Sequence, residues 1–562
     1  MKKLNVVIEG IGNVSLTDSN YIGSGGEANV YKVNSQAVKL YHDPKKSIPR
    51  QKITELGSIT SPDVLKPLHV VYDEHGSLIG YSMDFIKGAE PICKMFTKSF
   101  KSAHGISFNH VTDLVKAIRN NLDDIHSAKC LVVDLNEMNI VIGGSSFDHP
   151  YMIDVDSYQT PSFKATAIMD SIRDRLVRNN QWSELSDWYS YAILCFQLYI
   201  GIHPYKGTHP KYKPNEWLRR MDEGVSVFDK NVSLPAVCND MRVIPPRYLD
   251  WMKMLFVDNR RDVPPDIDRS IPIPVTVTTV FVKGDDKFTY TLVETLPEDV
   301  VSATCMFGVV YYVTTAGIYR GSSKIVGLHP ATPAIIARTG TMRMIYGLQY
   351  RSAIDIMDDK GSFIGKLMCD QSNVMNGDIY VSMGSRLLRV NVVETASGKS
   401  LCSFVPVANI MEMSSKFFDG VIYQDMLGTP WATFPMEGGM HTVRLPEIAG
   451  HRVLDMKKVG NLLVAMVELN GTYSKMMFLF SRKHVYSFRK VDNVSYADLA
   501  FTCLDNGVNV MVNDGGSVDI FKDFSKIKTV DGTSFDTATP IVSIGGKVHV
   551  LDRNKVYVAT AK

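Results

Sequence analysis

Apolar residues change their spacing about halfway along the 562-residue chain. In the first half the pattern is mixed. Strand-like segments flank a glycine-rich turn at residues 22–31, and Ala37-Val38-Lys39 lies in a short β-branched strand. The run from Pro49 to Leu56 predicts a helix, and the 14-residue apolar stretch Tyr189–Ile202 predicts a helix buried on all sides. From Val275 to the C-terminus helical periodicity almost vanishes. Short β-branched and aromatic runs are separated there by Gly, Asn and Asp, which predicts an all-β half. Between the halves, residues 263–274 carry Pro264, Pro265, Pro272 and Pro274 and predict a stiff, extended linker.

The all-β half repeats a unit of turn glycine, alternating strand, turn and second strand. Its glycines are Gly308, Gly377, Gly420, Gly460, Gly507 and Gly546, at spacings of 69, 43, 40, 47 and 39 residues. The long first interval holds two units if Met342-Arg-Met-Ile-Tyr-Gly347 begins a weaker one, giving seven. Strand-only units near a ~40-residue period predict β-propeller blades, each a small sheet needing its neighbours to bury both faces. A pair of β-sandwich domains is the competing architecture. Residues 275–282 are expected to pair beside the last strands near Val556–Val558, removing free edges. Tyr311, Tyr312, Tyr380 and Tyr423 occupy strand positions and read as core, whereas Trp431 reads as a turn aromatic suited to partner contact.

Candidate chemistry lies in the first half. Asp134, Asn139 and Asp154 stand in Val132-Val-Asp-Leu-Asn-Glu-Met-Asn-Ile-Val-Ile142 and Met152-Ile-Asp-Val-Asp156. That spacing suits an aspartate that accepts a proton from an attacking hydroxyl, followed by two ligands for Mg²⁺. Upstream, Ile22-Gly-Ser-Gly-Gly-Glu-Ala-Asn-Val30 offers small residues where backbone N–H groups can approach phosphate. Lys39 follows nine residues later, and Glu55 in the predicted helix is its expected carboxylate partner. The charges at Lys45, Lys46, Arg50 and Lys52 read as a solvated face.

With these parts in this order, residues 17 to 269 resemble the protein kinase superfamily, in a divergent form of bacterial or phage type. The resemblance implies a bilobal α+β fold over residues 1–269, with an N-lobe to about residue 86 and a C-lobe beyond it, followed by the all-β domain at 275–562. It implies ATP and Mg²⁺ as cofactors. Asp134, Lys39 and Glu55 would be catalytic, and Asn139 and Asp154 would hold metal. Ile22, Gly23, Gly25, Gly26, Val30, Ala37 and Lys39 would line the nucleotide site, with Met83 at the back of the adenine pocket and the backbone of Asp84 and Ile86 facing the adenine edge. The residue matching Asp187 caps the catalytic loop in that family, and Arg261 matches an arginine near the domain end.

Departures remove specific contacts. Val132-Val133 replaces the usual His-Arg, so no arginine clamps a phosphorylated activation loop, and activation by loop phosphorylation is not expected. Asn136 stands where protein Ser/Thr kinases place a lysine. Asp156 replaces the glycine of Asp-Phe-Gly, as a further metal ligand or an acidic cap. Ala167 stands in place of the glutamate that pairs with Arg261, leaving Asp170 or Asp174, in the helix-like run after it, as substitutes.

Lys+Arg 61 against Asp+Glu 59 argues against a polyanion-binding protein, so nucleic acid is not implied. Eight scattered cysteines without a Cys-x-x-Cys pair signal neither a zinc site nor a disulfide framework, which suits a reducing compartment. Met1-Lys2-Lys3 starts like a signal peptide, but Asn5 and Glu9 break the apolar run, and no stretch reaches the ~20 residues of a membrane span. The expectation is a cytoplasmic Ser/Thr protein kinase whose all-β domain binds a protein substrate or scaffold, residing in host cytoplasm or virion if viral. A pseudokinase scaffold and a small-molecule kinase are the alternatives.

Overall fold

The computed structural model describes all residues except 1–2, 145, 166–167, 268–284, 330–331, 396–399, 437 and 482–484. It divides into two compact units, one of Met1–Thr279 with Glu468–Tyr473 and Asp492–Asp498, the other of the remainder.

The first unit begins with a curled seven-stranded sheet. Its strands are β1 (Leu4–Ile8), β2 (Gly12–Leu16), β3 (Tyr21–Ser24), β4 (Ala28–Val33), β5 (Gln36–Tyr41), β6 (His69–Tyr72) and β7 (Leu78–Asp84), in the order β2-β1-β6-β7-β5-β4-β3. From Leu4 onward the signal-like start is thus the first hairpin. Alternation sorts the faces: Val6, Ile8, Leu16, Val38, Leu40 and Val71 form one apolar cluster. Lys39 and Tyr41 therefore project from the other face of β5. Strands β5 and β7 approach so closely that a Cβ at Gly80 would lie 2.0 Å from the Lys39 carbonyl oxygen. Only glycine fits that crossing.

Helices follow: α1 (Arg50–Leu56), α2 (Lys98–Ala103), α3 (Phe108–Ser127), α4 (Glu184–Ile200), α5 (Trp217–Asp222) and α6 (Pro246–Phe256). Helix α4 starts in a Ser183/Ser186 capping box and ends at Gly201, whose φ of +90° makes the left-handed stop. Every α4 residue from Ser186 to Ile200 is buried. Its hydroxyls are satisfied internally: Tyr191 donates to the Val115 carbonyl at 2.8 Å, and Tyr199 meets Thr112 at 2.9 Å. Burial of each such large side chain contributes about 1.5–3 kcal/mol. The helix-like run expected after Ala167 is instead a series of turns over 168–182, and Ala167 itself lies outside the described residues. A small sheet of β8 (Glu90–Pro91), β9 (Ile140–Gly143) and β10 (His149–Met152) completes the unit.

The expected linker is only partly described. Its start packs down: Pro264 and Ile267 are buried, and Arg119 donates to the Pro265 carbonyl and the Asp266 carboxylate at 2.9 Å each. Residues 268–274, and the strand expected at 275–282, lie outside the described residues.

The second unit is all-β, and its described strands form seven four-stranded sheets. Six use consecutive strands. The seventh joins Phe288–Thr295 to Lys555–Ala561, Lys547–Asp552 and Ile541–Ile544, with Phe288 opposite Ala561 and Thr295 opposite Lys555. The strand beside the C-terminal one is therefore 288–295. The six repeat glycines all have φ between +56° and +81°, each in the first hairpin turn of a consecutive run of strands. In the weak unit that left-handed place belongs to Met342, at φ +61°. Sheets consecutive in the chain share apolar clusters, as where Ile345, Ile354 and Ile356 meet Ile379, Val381 and Leu388. First and last sheets do likewise: Tyr312 and Tyr319 cluster with Leu551 and Val556. Tyr311, Tyr312, Tyr380 and Tyr423 are buried. Trp431 is not on a turn: it sits half-buried in the strand Thr429–Met436, opposite Gln424 and Arg444.

Candidate active site

The loop after α3 is shaped by one buried carboxylate. Asp187, fully buried on α4, accepts the amides of Val132 and Val133 at 2.9 Å each and contacts His126 Nε2 at 3.0 Å. It holds Val133 at φ +63°, a conformation that costs a β-branched residue ~1–3 kcal/mol without such support. Asp134 follows directly. Its Oδ1 accepts the Met169 amide at 2.8 Å, and Asn139 Nδ2 donates to its carbonyl at 3.0 Å and to Oδ2 at 3.3 Å. Burial raises the Asp134 pKa, and the Met169 hydrogen bond opposes that rise. A proton-accepting role benefits from that direction. Asn136, fully buried, turns inward: its Oδ1 accepts the amides of Met138 at 2.7 Å and Asn139 at 3.2 Å. It staples the loop and does not reach outward as a lysine would.

The β9–β10 hairpin brings the two metal candidates together. Ile140 is opposite Met152, and Ile153 N–H donates to the Asn139 carbonyl at 2.9 Å. Asp154 comes next, at φ +59°, which turns the chain sharply.

That turn sends Asp156 back toward β5. Lys39 Nζ lies 2.6 Å from Asp154 Oδ1 and 2.8 and 2.9 Å from the two oxygens of Asp156. Asp156 also accepts the Tyr41 hydroxyl at 2.5 Å and the Tyr81 hydroxyl at 2.6 Å, while Lys52 Nζ donates to its carbonyl at 2.6 Å. Burial alone would lower the Lys39 pKa, but Asp156 and Asp154 hold it above its ordinary value. Burial likewise opposes ionisation of Asp156, and Lys39 with the two tyrosines outweighs it, so the carboxyl pKa is lowered.

Glu55 is elsewhere. Its carboxylate accepts Gln51 Nε2 and the Ser162 amide at 3.1 Å each. Helix α1 turns Lys52 and Leu56, one turn apart, inward and leaves Glu55 at its rim. Lys52 is accordingly buried and not part of a solvated face, and burial lowers its pKa. Arg261 pairs with Asp174.

The glycine-rich loop joins β3 to β4, with Gly23 opposite Val30, a register shift at Ile22, and Gly25 N–H donating to the Ala28 carbonyl at 2.9 Å. No protein atom lies within 4 Å of a Cβ built on Gly23 or Gly26, and neither has a positive φ. Neither backbone geometry nor crowding by the protein itself demands glycine there. On β5 and β7, Ala37 faces Met83 and Gln36 faces Asp84, with Ile86 just beyond the strand end.

The oxygen donors here are of the kind a hard divalent cation takes. Asn139 commits its amide nitrogen to Asp134, leaving Oδ1, and the Asp154 side chain is 43% exposed with one oxygen on Lys39. Among the described residues no group of three His, Cys, Asp or Glu is arranged around a metal site. Two oxygen donors suffice where phosphates and water complete an octahedral shell. Sequence reasoning missed Tyr41, Tyr81, Lys52 and the Met169 amide. Tyr41 had a signal, since it lies two residues from Lys39 and so on the same strand face. Tyr81 stands directly opposite Lys39 across β7. No known protein-family model matches the chain, and no curated protein sequence matches it.

Proposed function

We propose that the first unit is a protein-kinase-like phosphotransferase that uses Mg-ATP, of bilobal type and most consistent with a Ser/Thr protein acceptor. The observation that carries this reading is a linked set of contacts: Asn139 bonds Asp134, the Ile153 amide bonds the Asn139 carbonyl with Asp154 next in the chain, and Lys39 bonds Asp154. It gathers four side chains spread over 115 residues of sequence. In this reading Asp134 orients the acceptor hydroxyl and takes its proton. Asn139 and Asp154 hold Mg²⁺, which neutralises charge on the phosphates. Lys39 places its ammonium on the nucleotide phosphates, beneath the open loop of Gly23, Gly25 and Gly26. Ile22, Val30, Ala37 and Met83 offer apolar walls to the base, and the backbone at Asp84 and Ile86 offers its edge contacts. Positioning and charge neutralisation supply the rate enhancement.

The second unit is read as a seven-bladed propeller that binds a protein substrate or scaffold. Support comes from its seven four-stranded sheets, their shared apolar clusters and the pairing of 288–295 with the last strand. A cytoplasmic site of action is part of the proposal.

A second reading, a nucleotide-binding scaffold without transfer, is favoured by Asn136, whose amide is folded into the loop. Thermal-shift titration with ATP, with and without Mg²⁺, tests the shared premise. The proposal expects stabilisation that deepens with Mg²⁺. An unchanged melting temperature at millimolar Mg-ATP contradicts both readings.

A further inference from the structure

Helix α1 offers the wrong charge to the site. Where a helix carboxylate is expected beside Lys39, α1 inserts Lys52, whose ammonium donates to the Asp156 carbonyl at 2.6 Å. The anion comes instead from the segment after Asp154. The Asp156 side chain is 6% exposed and receives both Lys39 contacts and two tyrosine hydroxyls, one from β5 and one from β7. Four donor contacts satisfy a carboxylate's capacity, and Asp156 has none left over for a cation.

Asp154 differs from it on every count. Its side chain is 43% exposed, it touches Lys39 through one oxygen, and it lies beside Asn139. The two carboxylates thus divide the work by burial and bonding.

We propose that Asp156 is the positioning residue for Lys39, taking the place of a helix glutamate, and that Asp154 is thereby released to ligate Mg²⁺ when nucleotide binds. The inference rests on the nucleotide-binding reading above. With Asp156 holding two of the three short contacts, the lysine keeps its place when a metal draws Asp154 away. Without Asp156, lysine and metal compete for Asp154. A second consequence is that Glu55 takes no part in holding Lys39, since its carboxylate is bonded to Gln51 and the Ser162 amide.

The test is the Mg²⁺ dependence of ADP and ATP affinity, by isothermal titration calorimetry on the full chain. Asp156→Asn keeps the size of the side chain and removes its charge. It is expected to raise the Mg²⁺ concentration needed for half-maximal nucleotide affinity at least tenfold, because Lys39 then occupies Asp154. Glu55→Gln is expected to leave that concentration within twofold of wild type. Tyr81→Phe, which removes one donor and retains the ring, is expected to shift it two- to fivefold and serves if Asp156→Asn does not fold. An Asp156→Asn protein, or failing that a Tyr81→Phe protein, with wild-type Mg²⁺ dependence overturns the assignment, as does a tenfold shift in Glu55→Gln. Wild type that binds no nucleotide overturns the underlying reading, which separates the two failures.

Discussion

Arg261 grips Asp174 through two N–H···O bonds, Nε to Oδ2 and Nη2 to Oδ1, each 2.7 Å long, with the guanidinium 4.3 Å from the centre of the Tyr189 ring. Both side chains are nearly buried, at 9% and 3% exposure. Removing one partner strands the other charge, so Asp174→Ala is expected to cost about 3–5 kcal/mol in urea unfolding. The paired change Asp174→Leu with Arg261→Met is expected to cost less than the two single losses combined, because no lone charge remains. Additive losses would show that the pair does not act as a unit.

Gly80 sets the spacing of β5 and β7, the strands that carry Lys39 and Tyr81. A methyl group there meets backbone, which cannot rotate away as a side chain would. Gly80→Ala is expected to destabilise the first unit by about 1–3 kcal/mol and to weaken the ATP-dependent thermal shift. Wild-type stability would mean that the strands can separate without strain.

His203 predicts acid sensitivity. Its Nε2 faces the Ser171 carbonyl at 2.8 Å, and Nδ1 accepts the Tyr205 amide at 3.2 Å, which fixes a neutral ring. Burial, aided by Lys206, Arg175 and Arg220, lowers its pKa from the ordinary 6.5 to about 3. Unfolded His203 takes up a proton below pH 6.5 and the folded ring does so only near 3, so its contribution is fully present above 6.5 and declines as pH falls between them. The slope is at most ~1.4 kcal/mol per pH unit. His203→Gln is expected to flatten stability against pH in that window, measured by urea melts at pH 7, 5.5 and 4.5. Parallel curves would contradict the neutral ring.

Met342 occupies a left-handed turn position where the other repeats have glycine, in a turn closed by Thr339 N–H to the Arg343 carbonyl at 2.8 Å. The conformation costs a side-chain-bearing residue ~1–2 kcal/mol, partly offset by the extra unfolded-state freedom of glycine. Met342→Gly is expected to stabilise the second unit by about 0.5–1 kcal/mol in thermal unfolding. A lowered melting temperature would mean the methionine side chain matters more than its backbone.

That residue also explains what the sequence could reveal. The glycine-marked repeats were legible because their turns require φ > 0, and the hidden unit was faint because Met342 pays the strain. Asn139 and Asp154 were legible as residues from their spacing, whereas the hairpin that links them, with Ile140 opposite Met152 and the Ile153 amide on the Asn139 carbonyl, emerged only in the structure. The partner of Lys39 was not. It depends on the chain reversal at Asp154, a single positive φ that no hydrophobic pattern encodes. Helix α1 has only seven residues, too few for periodicity to decide between Lys52 and Glu55 as its inward residue. The run after Ala167 failed as a helix because its polar groups, among them the Asp174 carboxylate that accepts the Leu176 amide, bond locally in turns.

Transfer of label from γ-³²P-ATP to the protein itself, or to protein in a cell extract, bears most directly on the central proposal. Wild type is expected to transfer phosphate in Mg²⁺, and Asp134→Ala is expected to lose roughly 10²–10⁴-fold in rate while keeping its ATP-dependent thermal shift. Equal transfer by Asp134→Ala, or none by wild type with any acceptor, would contradict the phosphotransferase reading.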